Sequence, residues 1–119
     1  MIENILRNKS YRFAVRIINL YKYLCGSKRE FVMSRQILRS GTSVGALIRE
    51  AEFAQSKADF INKMSIALKE ANETIYWIDL LLETDYINFK MYESLLIDCE
   101  EILKLLVASV KTAKNNLNK

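Results

Sequence analysis

The chain has 119 residues and a mass of 13.9 kDa; half of its residues are apolar and 27% are charged, which fits one globular domain and excludes a disordered or fibrous chain. It has no proline, no histidine and only three glycines, which disfavours many short strands and removes the commonest general base and metal ligand. The net charge of +4 conceals an asymmetry: residues 1–60 hold 11 Lys/Arg against 5 Asp/Glu, residues 61–119 hold 7 against 9, and all seven arginines precede residue 50.

Phe13, Ile17, Tyr21 and Leu24 recur at helical spacing, with Ala14, Ile18 and Cys25 widening the stripe, and predict a first helix over roughly 10–25. Gly26 stands where a C′ glycine would close it. Its start is open: Ser10 could be the N-cap, or the helix could begin near Glu3 and run through Ile5 and Leu6. Ser27-Lys28-Arg29-Glu30 has capping-box spacing and predicts a second helix over about 31–54, with Ile37, Gly41, Val44, Ile48 and Ala51 as its seam. Arg35, Arg39, Thr42 and Arg49 share one flank of that helix. Gly41 and Gly45 would each cost a helix about 1 kcal/mol relative to alanine, so a backbone held close to a neighbour is expected there rather than a break at 40–43.

Ser56-Lys57-Ala58-Asp59 is a second start signal, opening a helix over about 57–84 whose seam is Phe60, Met64, Ala67, Ala71, Ile75, Ile78 and Leu82. The run 75–82 is apolar on nearly every side, which points to a second buried surface, and Tyr76, Trp77, Leu80 and Leu81 are the expected residues of an oligomer interface. Asn88 caps the last helix, predicted over about 89–116, where Leu96, Cys99, Leu103, Leu106, Val110, Ala113 and Leu117 alternate in steps of three and four. Glu93, Asp98, Glu100 and Glu101 precede Lys104, Lys111 and Lys114, an order that complements the helix dipole and permits a Glu100–Lys104 pair. The expectation is an all-α, antiparallel up-down four-helix bundle over residues 1–119.

That interior is poorly equipped for chemistry. A di-iron bundle needs Glu-x-x-His pairs, which a chain without histidine cannot form, and Gly41-x-x-x-Gly45 lacks the spacing and the lysine of a phosphate loop. Ser43 and Cys25 have no histidine to activate them. No enzyme activity, no metal and no cofactor are therefore expected. Glu50 and Glu73 read as carboxylates ion-paired to arginines of the first two helices. Cys25 and Cys99, far apart and outside any C-x-x-C, read as reduced core thiols. The first seven residues lack the apolar region of a secretory signal, and no apolar run reaches the 18 or so residues of a membrane span, so a cytoplasmic chain with no membrane partner is expected.

The arginines suit bidentate phosphate contacts, although the same clustering also fits a solvated helix surface. With the second and third helices placed, the stretch 38–51, LRSGTSVGALIREA, together with Ser56-Lys57-Ala58-Asp59-Phe60, residues 66–73 and Tyr76-Trp77, resembles the four-helix-bundle family encoded by intervening sequences in bacterial 23S ribosomal RNA genes. The accessory variability protein of diversity-generating retroelements belongs to the same broader group. The resemblance implies an up-down bundle assembled as a ring-like homopentamer, with a basic surface that contacts RNA or DNA, or a reverse transcriptase that handles it. Arg39 carries over from the matched motif; Arg12 and Arg16, which share a face of the first helix, and Arg35 and Arg49 join it as nucleic-acid-binding candidates by the local stripe argument. Leu47 and Ala51 stand where the family commonly has asparagine and glycine. The alternative is a protein-interaction scaffold with no nucleic-acid role.

Overall fold

The computed structural model describes residues 2–117 as four helices: α1 (Ile2–Gly26), α2 (Met33–Glu52), α3 (Lys57–Glu83) and α4 (Phe89–Leu117). They pack in the order α1·α2, α2·α3, α3·α4 and α4·α1, with the α1–α4 seam the sparsest, in a body of 51 × 22 × 19 Å. This is the expected all-α up-down bundle. Short connections force neighbouring helices to run antiparallel, and each helix buries one stripe against two neighbours.

The core is Leu6, Phe13, Ile17, Leu20 and Leu24 of α1, Ile37, Val44, Ile48 and Ala51 of α2, Met64, Ala67, Ala71, Ile78 and Leu81 of α3, and Leu95, Cys99, Ile102, Leu106 and Val110 of α4. Burial of Leu6 decides the open question of α1: the stripe of Phe13 continues one heptad back, and the helix runs from Ile2. Ser10 is therefore no cap. It is buried in mid-helix, its hydroxyl donating to the Arg7 carbonyl at 3.2 Å.

Two helix ends depart from the sequence expectation. Gly26 is the last residue of α1 and has no positive φ; the left-handed residue is Arg29, φ 56°, three positions later. Ser27 does not cap α2. The buried Glu30 carboxylate does so instead, accepting from the backbone N–H groups of Val32 (3.1 Å), Met33 (3.0 Å) and Ser34 (2.7 Å), so α2 opens at Met33 and not at 31. Burial alone would raise the Glu30 carboxyl, but these donors outweigh it and hold it below its ordinary value. The other two start signals form as read: the Ser56 hydroxyl accepts from Asp59 N–H at 3.0 Å, and Asn88 Oδ1 accepts from Met91 N–H at 2.8 Å.

Glu30→Ala is expected to destabilise the bundle by about 1–2 kcal/mol at pH 7, the cost of losing a helix N-cap. Because the folded carboxyl titrates below its ordinary 4.5, its contribution is complete above that value and is lost as pH falls through the folded one. Thermal melts of wild type and variant should therefore converge as the pH is lowered below 4.5 and through the folded value, and a gap that stays constant would contradict the cap.

Helix α2 is unbroken through 40–43, as close packing requires. A Cβ on Gly41 would lie 2.7 Å from Ile17 Cγ1, and one on Gly45 would lie 3.3 Å from the Ser10 carbonyl oxygen. The two glycines let α1 approach α2 along its length. Behind them the Ser40 and Thr74 hydroxyls hydrogen-bond at 2.9 Å, a buried polar tie between α2 and α3.

Candidate nucleic-acid interface

The five candidate arginines do not form one stripe. Arg16 turns towards α4, where its guanidinium donates to Asp98 Oδ2 at 2.6 Å, Ser94 Oγ at 2.9 Å and the Ser94 carbonyl at 3.1 Å. Arg39 turns the other way, towards α3: Nη1 donates to both Glu70 oxygens at 2.9 and 3.0 Å, and Nη2 to Glu73 Oε2 at 2.5 Å. Trp77 Nε1 also donates to Glu73, at 3.0 Å. The Trp77 and Arg39 bonds hold the Glu73 carboxyl below its usual range, and the hydrogen bonds Arg39 donates to Glu70 and Glu73 raise its own guanidinium. Both guanidiniums thus already have carboxylate partners. Arg35 lies fourteen positions before Arg49, about 21 Å along α2 at 1.5 Å per residue.

Arg12 and Arg49 do come together, and Arg7 joins them. The first helix and the end of the second run antiparallel here, so that Arg7, Asn8, Tyr11 and Arg12 of α1 and Arg49 of α2 line one surface depression of about 430 Å³. Among the described residues, Arg12 and Arg49 have no ion-pair partner, and Arg7 has one, Glu52 at 3.6 Å. Tyr11 stands in the middle of the cluster, 62% exposed. Along the α2 side a second, largely apolar cleft of about 300 Å³ adjoins it, lined by Arg7, Tyr11 and Arg49, shared with the first, and by Ser10, Ala14, Thr42, Gly45 and Ala46. Arg7 and Tyr11 were missed in the sequence because they fall in or beside the stretch whose helicity was open. Continuing the Phe13 stripe to Leu6 would have placed both.

The acidic residues find partners across helices. Asp98 and Glu101 of α4 pair with Arg16 and Lys9 of α1, which is the use α4 makes of its charges. Glu73 pairs with Arg39 as expected, whereas Glu50 pairs with Lys63 of α3 at 3.5 Å rather than with an arginine, and is exposed. Cys99 is buried, its Sγ 3.4 Å from the Ala71 carbonyl, and burial, with Glu100 and Asp98 nearby, pushes its thiol up to about 12. Cys25 is half-buried, and both cysteines are free. No group of three His, Cys, Asp or Glu among the described residues is placed to hold a metal, and none of the helices is long and apolar enough to cross a membrane.

Of the four residues expected at an oligomer interface, the protomer core takes up one. Leu81 is fully buried in the protomer core beside Ile78, so it is not available to an oligomer interface. Ile75, Trp77 and Leu82 are half-buried and pack against that core. The physical reason is that α3 faces both α2 and α4, so its one buried stripe, which ends on Thr74, Ile78 and Leu81, is flanked by half-buried apolar positions. Tyr76 remains outside, 55% exposed, its ring edge-on to Trp77 at 5.1 Å. Leu80 is half-buried.

Comparison with known proteins agrees with this architecture. No curated protein matches the chain. Among solved structures, a protein of unknown function from the S23 ribosomal protein family of Bacteroides thetaiotaomicron is similar to it, with 62% identity, 93% of this chain and 99% of that one covered, and a TM-score of 0.92. The family described as 23S rRNA-intervening sequence protein matches residues 3–108. That span takes in all of α1 but its first residue, α2, α3 and most of α4; the chain belongs to the 23S rRNA-intervening sequence protein family.

Proposed function

We propose that this chain is a non-catalytic, homo-oligomeric bundle, pentameric in solution, whose α1–α2 face binds the phosphates of RNA or DNA. One observation carries the reading: three arginines from two helices converge around Tyr11, and among the described residues the one ion pair they make is Arg7 with Glu52 at 3.6 Å. Charge alone would be a weak argument, because Arg16 and Arg39 carry the same charge and are already paired with carboxylates. The cluster differs in leaving the guanidinium forks of Arg12 and Arg49 open to phosphate oxygens. Assembly is supported by apolar surface outside the protomer core, Val15 and Ile18 of α1 and Tyr76 of α3. The resemblance to ring-forming relatives supports it too.

A protein-scaffold role, including contact with a reverse transcriptase, is favoured by Phe53, 82% exposed in the α2–α3 turn. Anisotropy of a labelled single strand across a salt series separates the two readings. Three phosphate contacts predict a log–log slope of about −2 for a single strand. Retention that ignores salt, or none at low ionic strength, would remove the nucleic-acid reading and leave the scaffold. Light scattering of the same sample should give a mass close to five protomers, and a 13.9 kDa species would contradict assembly.

A further inference from the structure

We propose that the cleft between α1 and α2 seats one unstacked nucleobase, so that the chain prefers single-stranded nucleic acid to duplex. This rests on the nucleic-acid reading above and gives it a substrate class. Two adjoining depressions share one wall, Arg7, Tyr11 and Arg49. On one side of the wall the surface is polar and cationic, with Asn8 and Arg12. On the other lie Ser10, Ala14, Thr42, Gly45 and Ala46.

A nucleotide has the matching division: a charged phosphate that the apolar cleft would repel on desolvation grounds, and a flat base that it would accept. Apart from the shared wall, the residues that line it are small: Ser10, Ala14, Thr42, Gly45 and Ala46. Gly45 has no side chain, and the Ser10 carbonyl sits where any Cβ would crowd it, at 3.3 Å. Thr42 turns its hydroxyl into its own helix, donating to the Leu38 carbonyl at 2.6 Å. The exposed Tyr11 ring and the planar guanidiniums beside it offer stacking faces at the mouth. At about 300 Å³ the cleft lies at the lower end of ligand-site volumes, enough for one base and not for a helix of nucleic acid. A base in a duplex is paired and stacked, and extruding it costs energy that a single strand does not spend.

Oligonucleotides of about 12 residues, an accommodating length for such a site, are bound at one low ionic strength as single-stranded RNA, single-stranded DNA and the corresponding duplexes. Wild type is compared with Tyr11→Ala and Ala46→Leu. Neither substitution changes charge, and both positions are exposed, so folding is checked simply by far-UV circular dichroism. The expected result is a single-strand preference of about tenfold or more in the RNA arm or the DNA arm. Each variant should lower single-strand affinity about tenfold, and Ala46→Leu, which lies outside the phosphate depression, should leave duplex affinity within about twofold. Equal affinity for strand and duplex, or variants that bind single strands as wild type does, would overturn the base cleft while salt-dependent binding kept the phosphate reading intact. Failure of every probe to bind wild type would overturn both.

Discussion

Gly41→Val is expected to cost the bundle about 3 kcal/mol, the upper end of overpacking penalties, or to stop it folding. The added Cβ would sit 2.7 Å from Ile17 Cγ1, 2.9 Å from Cγ2 and 3.2 Å from Cβ. Ile17 is fully buried, and a β-branched side chain in a helix has essentially one rotamer, so it has no flexible end to swing aside. Relief requires α1 and α2 to move apart, which loosens Phe13 and Val44 as well.

Gly41→Ala sets two terms against each other: a gain of about 1 kcal/mol in helix propensity and the same Cβ contact. The contact prevails, and alanine destabilises. Gly26→Ala is the control, since nothing lies within 4 Å of its Cβ and its φ is not positive; it should stabilise by up to about 1 kcal/mol. Shortening the neighbour with Ile17→Ala should make the pair with Gly41→Ala less harmful than the sum of the singles. Urea unfolding followed by circular dichroism measures all four, and equal effects of alanine at 41 and at 26 would contradict close packing.

Particular residues show where sequence reasoning succeeded. Ser56 and Asn88 cap the helices they were expected to cap, because their partners are three residues away in the chain. The glycines of α2 read correctly because no local explanation accounted for their cost. Local signals failed where the deciding partner is distant or where neighbours are alike. In α4 the buried seam is Leu95, Cys99, Ile102, Leu106 and Val110, displaced from the expected Leu96 and Leu103. Leu95-Leu96 and Ile102-Leu103 are adjacent apolar pairs, and periodicity cannot choose between members of such a pair. Spacing points to Ser27 for the α2 cap, whereas Glu30 has the longer reach and the buried position. The arginine stripe failed for a third reason. Charge spacing on one helix says nothing about which neighbouring helix presents Asp98, Glu70 or Glu73, and those carboxylates decide which guanidiniums remain open.

Reversing Arg12 and Arg49 together to glutamate is expected to lower affinity for a single strand on the order of 100-fold at low ionic strength, as two phosphate contacts are lost and two repulsions added. Both side chains are exposed and have no carboxylate partner among the described residues, so the melting temperature should hardly move. Reversing Arg16 and Arg39 should do the opposite. Their replacements would face Asp98, Glu70 and Glu73, so the melt should drop while binding stays near wild type.

The slope of log affinity against log salt separates these outcomes most directly. It should fall from about −2 in wild type to about −0.7 in the Arg12→Glu, Arg49→Glu protein, one remaining contact at Arg7, and stay at about −2 in the Arg16→Glu, Arg39→Glu protein. The reverse pattern, with the slope lost only when Arg16 and Arg39 are changed, would contradict the assignment of the interface to the α1–α2 face.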